Sequence, residues 1–222
     1  MNQKIFLTIL ISFLISCDNE PVLNPLEYNS NITVQQNLVN GVSVLEILNY
    51  NDISSLYGIE YGGGYIFHVN ESSGNMIVAT DYSDIGDVAW GDVFELDTSH
   101  SIGDGDINTT LIIEGNQNDN SSNGTEFGSD NYAFKIVDDL DFNGFNDWFI
   151  PSSNSMVEIY SNIHSISSGN FDESLIYWSS TKEGYFPYVM AFNFESWGGL
   201  PFPGSCLDVN GILIARKIIK IN

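Results

Sequence analysis

"YAFKIVDDLDFNGFNDWFIPSSNSMVEIY", residues 132–160, holds two helix patterns and the turn that joins them. Ala133, Ile136, Val137 and Leu140 recur at helical spacing, so a helix is expected from about Asn131. Pro151 starts the next, with Ser152 or Ser153 as its cap and Met156, Ile159, Tyr160 and Ile163 as its buried stripe. Between the two, Asp139, Asp141 and Asn143 alternate ahead of Gly144, and Asp147 takes the ninth place of a calcium loop. The twelfth place is Ile150, so the bidentate glutamate that completes such a loop is missing. The same letters also read as scaffold: Asn143-Gly144 turns the chain, Asp147 hydrogen-bonds nearby backbone, and Trp148 enters the core. On spacing alone, Asp139, Asp141, Asn143 and Asp147 are candidate calcium ligands in what is equally a turn.

A second alternation, Asp104, Asp106 and Asn108 in "GDGDINT", is a weaker candidate for the same ion. Thr109 stands where the loop wants glycine, and Asn108 is placed to cap a helix over "NTTLIIEG" that Gly115 would stop. Calcium is thus a candidate stabiliser of acidic loops, and no cofactor is required.

Outside this helical centre the chain reads as strands. "YGGGYIFHVN" and "NMIVAT" flank "ESSG" as a hairpin would, and "IYWSST", "YVMAFNF" and "ILIARKIIKI" follow the helices. Gly62 to Gly64 lack the Lys-Ser/Thr ending of a phosphate loop and lead into a strand, so close backbone packing is expected there. Strands, then helices, then strands predict an α+β fold with short, mostly antiparallel sheets, two or three helices and long loops. One of those loops is "GNQNDNSSNGTEFGSDN", too poor in apolar residues to fold alone.

The N-terminus predicts the compartment. Lys4 precedes an apolar run from Ile5 to Ile15 that is too short to span a bilayer, and Leu14-Ile15-Ser16-Cys17 has the order of a bacterial lipobox. Residues 1–16 are therefore expected to be a signal peptide, residues 17–40 a lipidated Cys17 with a flexible tether, and residues 41–222 one domain. Acyl chains contribute about 0.8 kcal/mol per buried methylene, enough to hold the protein on a membrane without a spanning helix. The expected place is the cell envelope, at the outer membrane or cell surface in preference to the inner membrane. Asp18, next to the lipidated position, is a retention signal in some bacteria and part of an export signal in others.

Removing the leader removes Lys4 and leaves 5 basic residues against 29 acidic ones, a net charge of −24. Such a surface repels nucleic acid and sulfated polysaccharide, whose binding needs Lys and Arg to displace counterions. With Cys17 lipidated, Cys206 has no partner for an intramolecular disulfide, so packing alone must hold the domain.

Several fragments resemble, in order, the Lcl C-terminal domain family, a bacterial domain named from a collagen-like adhesin. They are Gly103, Gly105, Asn108 and Thr109; then Gly144, Asp147-Trp148 and Ile150-Pro151-Ser152; then Tyr177-Trp178-Ser179-Ser180-Thr181, within a match over about residues 57–221. The resemblance implies a fold in the C-type-lectin-like and formylglycine-generating-enzyme group, and recognition more often than catalysis. The chain departs from the family at Val137, where a cysteine is common, and its acidity argues against the adhesin's sulfated ligands.

The expected ligand is a glycan or a surface protein. Aromatic residues are abundant, and "EGYFPYV" and "FESWGGLPFPG" place rings beside carboxylates and amides. Tyr185, Trp197 and Phe202 are candidate stacking residues, with Glu195 and Asn193 as polar partners, against core packing as the alternative for each. Trp178 lies within a strand pattern and belongs to the core. His68, His100 and His164 have no zinc-site spacing, and no Gly-x-Ser-x-Gly elbow is present, so no enzyme is predicted. A structural envelope lipoprotein and a polysaccharide hydrolase remain the alternatives, because two carboxylates at working distance leave no sequence signature.

Overall fold

The computed structural model describes residues 26–93, 95–117, 131–184, 188–195, 198–206 and 208–219. Cys17 and its leader, Tyr185, Trp197 and most of the polar loop after Gly115 lie outside the described residues. In chain order the elements are α1 (Val34–Val39), α2 (Val44–Leu48), β1 (Glu60–Tyr61), β2 (Gly64–Val69), β3 (Met76–Asp81) and β4 (Val88–Ala89). Then come α3 (Gly105–Gln117), α4 (Ala133–Asp138), α5 (Ser153–Asn162), β5 (Ile176–Trp178), β6 (Tyr188–Asn193), β7 (Phe202–Ser205), β8 (Val209–Asn210) and β9 (Leu213–Ile218). The strands form three antiparallel sheets, β1-β2-β3-β9, β4-β8 and β5-β6-β7, so the α+β expectation holds at that level.

The first sheet joins the two ends of the described chain, because β9 pairs along the whole of β3, from Met76–Ile218 to Asp81–Leu213. Its faces are sorted by alternation. Val78 and Met76 face one apolar cluster with Leu38, Val44, Ile47 and Leu56, while Ile77 and Ala79 face another with Phe149, Met156, Ile159 and Phe192. Ile66 and Val69 share the first cluster although they stand three apart. A register shift between Ile66 and His68 explains this, since one extra residue in a strand turns the following side chains over. The glycine run serves close approach, as expected: a Cβ on Gly64 would lie 2.9 Å from the Ala79 carbonyl oxygen, and one on Gly63 2.9 Å from the Phe145 ring.

The expected tether ends too late. From Leu26 the chain is already structured, and α1 falls inside residues 17–40. Thr33 Oγ1 accepts from the Gln36 amide at 3.1 Å while Gln36 Oε1 accepts from the Thr33 amide at 3.0 Å, a capping box that needs no long apolar run. Leu38 from this helix is fully buried. Among the described residues five α-helices stand in place of two or three, the added ones being short pieces that packing stabilises rather than propensity; α2 falls where "VSVLEIL" reads as a short helix. The helix after "GDG" begins at Gly105 instead of after Asn108 and runs through Gly115 to Gln117. Ser152 caps α5, and Met156, Ile159 and Ile163 are buried in the second cluster as predicted. Trp148 and Trp178 are both buried, and among the described residues no helix is long and apolar enough to cross a membrane.

Candidate functional site

Three stretches far apart in the sequence, at Asn108-Thr109, Ile150-Pro151-Ser152 and Ser180-Thr181, meet at one buried place. Asn108 donates to the Ser99 carbonyl at 2.7 Å and to Ser180 Oγ at 3.1 Å, and its own carbonyl accepts from the Ser99 amide at 2.9 Å. Thr109 Oγ1 accepts from the Ile150 amide, the Ser180 amide donates to the Pro151 carbonyl, and the Ser153 amide donates to Thr181 Oγ1. Ser152 Oγ donates to the Ser101 carbonyl, and Thr98 Oγ1 to the Ser180 carbonyl. A Cβ on Gly105 would lie 2.4 Å from the Ile150 carbonyl oxygen, so α3 and the chain entering α5 touch backbone to backbone only with glycine there. Asn108 is therefore an interior strut and not a helix cap.

The aspartate loop is spent on scaffold. Phe142 and Phe145 exchange two backbone hydrogen bonds around Asn143 and Gly144, both at positive φ, as a tight two-residue turn requires. Asp147 does not bond nearby backbone: both its oxygens accept from Arg216, at 2.6 and 2.9 Å, and the guanidinium lies 3.8 Å over the Phe145 ring. Asp139 pairs with Lys135, Asn143 donates to the Gly63 carbonyl, and Asp141 is exposed. Trp148 donates its indole N–H to the Phe142 and Phe145 carbonyls. Asp104 accepts from Ser99 Oγ at 2.7 Å and Asp106 pairs with Lys217 at 2.7 Å. Among the described residues no three His, Cys, Asp or Glu side chains are grouped to hold a metal ion.

A hydrogen-bonded chain of nucleophile, imidazole and carboxylate does form, from residues 53 and 83 positions apart that spacing could not connect. Ser153 Oγ lies 2.8 Å from His100 Nδ1, and His100 Nε2 lies 2.6 Å from Glu183 Oε1. Its surroundings do not suit acyl transfer. Ser153 is fully buried, and the Ser153, Asn154 and Ser155 amides, which could have stabilised an oxyanion, already donate to Thr181 Oγ1, the His100 carbonyl and Ser152 Oγ. The chain acts as a brace between the loop at residue 100, the start of α5 and the segment after β5.

Beside the brace, Lys182 is fully buried, with its ammonium donating to the Gly184 carbonyl at 2.8 Å. Burial holds its pKa below the usual lysine value. Burial also pushes the Cys206 thiol up to about 12, with Lys182 pulling the other way, so this cysteine is a packing residue and a poor nucleophile. Tyr177 is raised as well, by burial and by donating to Asp81.

The expected glycan loop is only partly in view. Tyr185 and Trp197 lie outside the described residues, Glu195 is exposed, and Phe202 packs half-buried on the cluster around Trp178. Asn193 is buried and donates to the Glu173 and Leu175 carbonyls at 3.0 and 2.6 Å, so it fixes a neighbouring segment and does not face solvent. Depressions open elsewhere among the described residues, and two of them bear on binding. One, of about 320 Å3, runs past His68, Asn70, Ile102, Asp104, Lys217 and Ile219. The other, of about 200 Å3, lies between the end of α5 and the segment that Asn193 fixes. Spacing did not mark the second; its one sequence signal is the turn-forming Ser167-Ser168-Gly169 ahead of an aromatic residue. No protein-family model matches the chain, and a search of curated proteins gives no significant match.

Proposed function

We propose that this chain is a bacterial lipoprotein, held on a membrane through Cys17, whose C-type-lectin-like domain binds a glycan or a surface protein and catalyses no reaction. The observation that carries the reading is the order Lys4, apolar run, Leu14-Ile15-Ser16-Cys17. The topology supports the lectin-like part: strands from both ends of the described chain share one sheet, and the middle of the chain supplies a second sheet and the loops. The buried Ser153 and its occupied amides support a binding role over a hydrolytic one. Acidity supports an uncharged or cationic ligand, since Lys135, Arg216 and Lys217 already pair with the protein's own carboxylates and Lys182 is buried.

Metabolic labelling of the full chain with an alkynyl fatty acid tests the reading. The label is expected on the wild-type chain in the membrane fraction and absent from Cys17→Ser. An unlabelled chain recovered with soluble cytoplasmic proteins would overturn it.

A further inference from the structure

The smaller depression is lined by His164, Ser167, Ser168, Gly169, Phe171 and Glu173. Its aromatic wall is rigid. The Phe171 ring stacks on Phe194, with centroids 5.0 Å apart and planes 6° apart, and Phe194 is buried against the Tyr177, Phe192 and His164 rings. Phe171 itself stays half-buried and lines the opening. Opposite acceptors stand beside it: Glu173 keeps 63% of its side chain exposed, with Oε1 3.4 Å from His164 Nε2.

Both rims are pinned before any ligand arrives. On one side Ser167 holds a left-handed backbone at φ 57°, rare for a residue other than glycine, and such positions cluster at ligand sites. Its amide donates to the His164 carbonyl, the Ser168 amide to the Ile163 carbonyl, and Ser168 Oγ to the Gly58 carbonyl at 2.8 Å. On the other side Asn193 ties down the Glu173 and Leu175 carbonyls, and the Asp172 amide donates to the Tyr177 hydroxyl at 2.9 Å. Ser174 donates twice to Asp172, which holds that carboxyl below its usual range.

The geometry points to a subsite for one uncharged pyranose ring in this hollow, its C–H face on Phe171 and its hydroxyls on the Glu173 carboxylate and the Ser167 hydroxyl. Drug-sized ligands fill pockets of about 300–1,000 Å3, so a hollow of about 200 Å3 has room for one ring. Glu173 and Asp172 disfavour an anionic sugar, and a pinned rim spares the ordering cost that weakens small-ligand binding. The larger groove offers less. No Phe, Tyr or Trp lines it among the described residues, His68 is held by Glu158, Lys217 by Asp106, and Asn70 Oδ1 by the Ser72 and Ser73 of its own turn.

This inference rests on the domain being an extracytoplasmic binding module. It is tested by saturation-transfer NMR on the full lipidated chain in detergent, with millimolar methyl glycosides of glucose, galactose, mannose and N-acetylglucosamine. Transfer to the ring protons of at least one glycoside is expected, falling at least threefold in Glu173→Gln and in Phe171→Leu and unchanged in Asn75→Ala, since Asn75 lines the larger groove and not the hollow. Glu173 is exposed, so its variant keeps the fold even if Phe171→Leu does not. Absence of transfer from every glycoside overturns the subsite and leaves the anchor intact, since fatty-acid labelling reads that separately. Transfer that persists in Glu173→Gln and in a folded Phe171→Leu also overturns it, by placing the sugar elsewhere on a glycan-binding domain.

Discussion

The knot around Asn108 and the hollow beside Phe171 use the same residue types, serine, asparagine, histidine and carboxylate, for opposite ends. In the knot, Asn108, Ser152, Ser153, Ser180 and Thr181 are buried and bond to each other or to backbone across three chain segments. In the hollow, His164, Ser167 and Glu173 keep exposed surface, and the bonds that fix their rims come from residues behind them. A polar group turned inward must be paired, because leaving it unpaired costs about 1–3 kcal/mol; a group turned outward can keep its capacity for a ligand. Saturation separates framework from recognition here, and residue type does not.

Asn108→Ala gives the largest expected effect. It strips a buried partner from the Ser99 amide, the Ser99 carbonyl and Ser180 Oγ together. The loss should be about 2–4 kcal/mol in urea unfolding, from two or more groups left unpaired. Glu173→Gln should stay within about 0.5 kcal/mol, as an exposed substitution does. Equal, small losses at both sites would erase the distinction between knot and hollow.

The framework side carries a pH signature through Cys206. Its folded pKa, about 12, lies above the ordinary thiol value of 9.0, so the folded chain holds a proton that the unfolded chain releases as pH rises past 9. Stability from this group is full below pH 9 and declines above it, by about 1 kcal/mol between pH 9 and pH 10. Lys182 works against this, since its lowered pKa makes the unfolded chain the better proton binder below the usual lysine value. Comparing Cys206→Ala with wild type at pH 9 and pH 10 isolates the thiol: the stability gap should narrow by about 1 kcal/mol. A constant gap would mean that the thiol titrates normally and is not sealed in the core.

Periodicity made the framework's elements legible, but not the way they join. The stripe Met156, Ile159, Ile163, the Ser152 cap, the hairpin and the closing strand follow from local pattern, since burial of one face forces a period of 3.6 or 2. The α1 capping box is hard to see because Thr33 and Gln36 sit in an asparagine-rich stretch with two prolines upstream, where the apolar signal is weak. Asn108 reads as a cap because a cap and a strut use the same side chain, and only the tertiary contact with Ser180 decides between them. The hollow was out of reach: Phe171 and Glu173 join His164 across a turn, and the support comes from Asn193, 20 positions from Glu173. On chemistry alone Asn193 reads as a ligand contact; in the fold it holds the backbone of Glu173 and Leu175.

Asp141→Ala gives the smallest expected effect and decides what the aspartate loop is for. Of the loop's three candidate aspartates, Asp147 is closed off by Arg216 and Asp139 by Lys135, which leaves Asp141 as the exposed carboxylate whose removal breaks no ion pair. As scaffold, the turn depends on Asn143-Gly144 and on the Trp148 indole bonds, so Asp141→Ala should change stability by less than about 0.5 kcal/mol with calcium or with EDTA. As a calcium loop, wild type would gain about 2.7 kcal/mol at an ion concentration of 100 Kd, and the variant would lose much of it. A gap between wild type and variant that opens only when calcium is added would return the loop to the recognition side of the comparison, with Arg216 displaced from Asp147 by the ion.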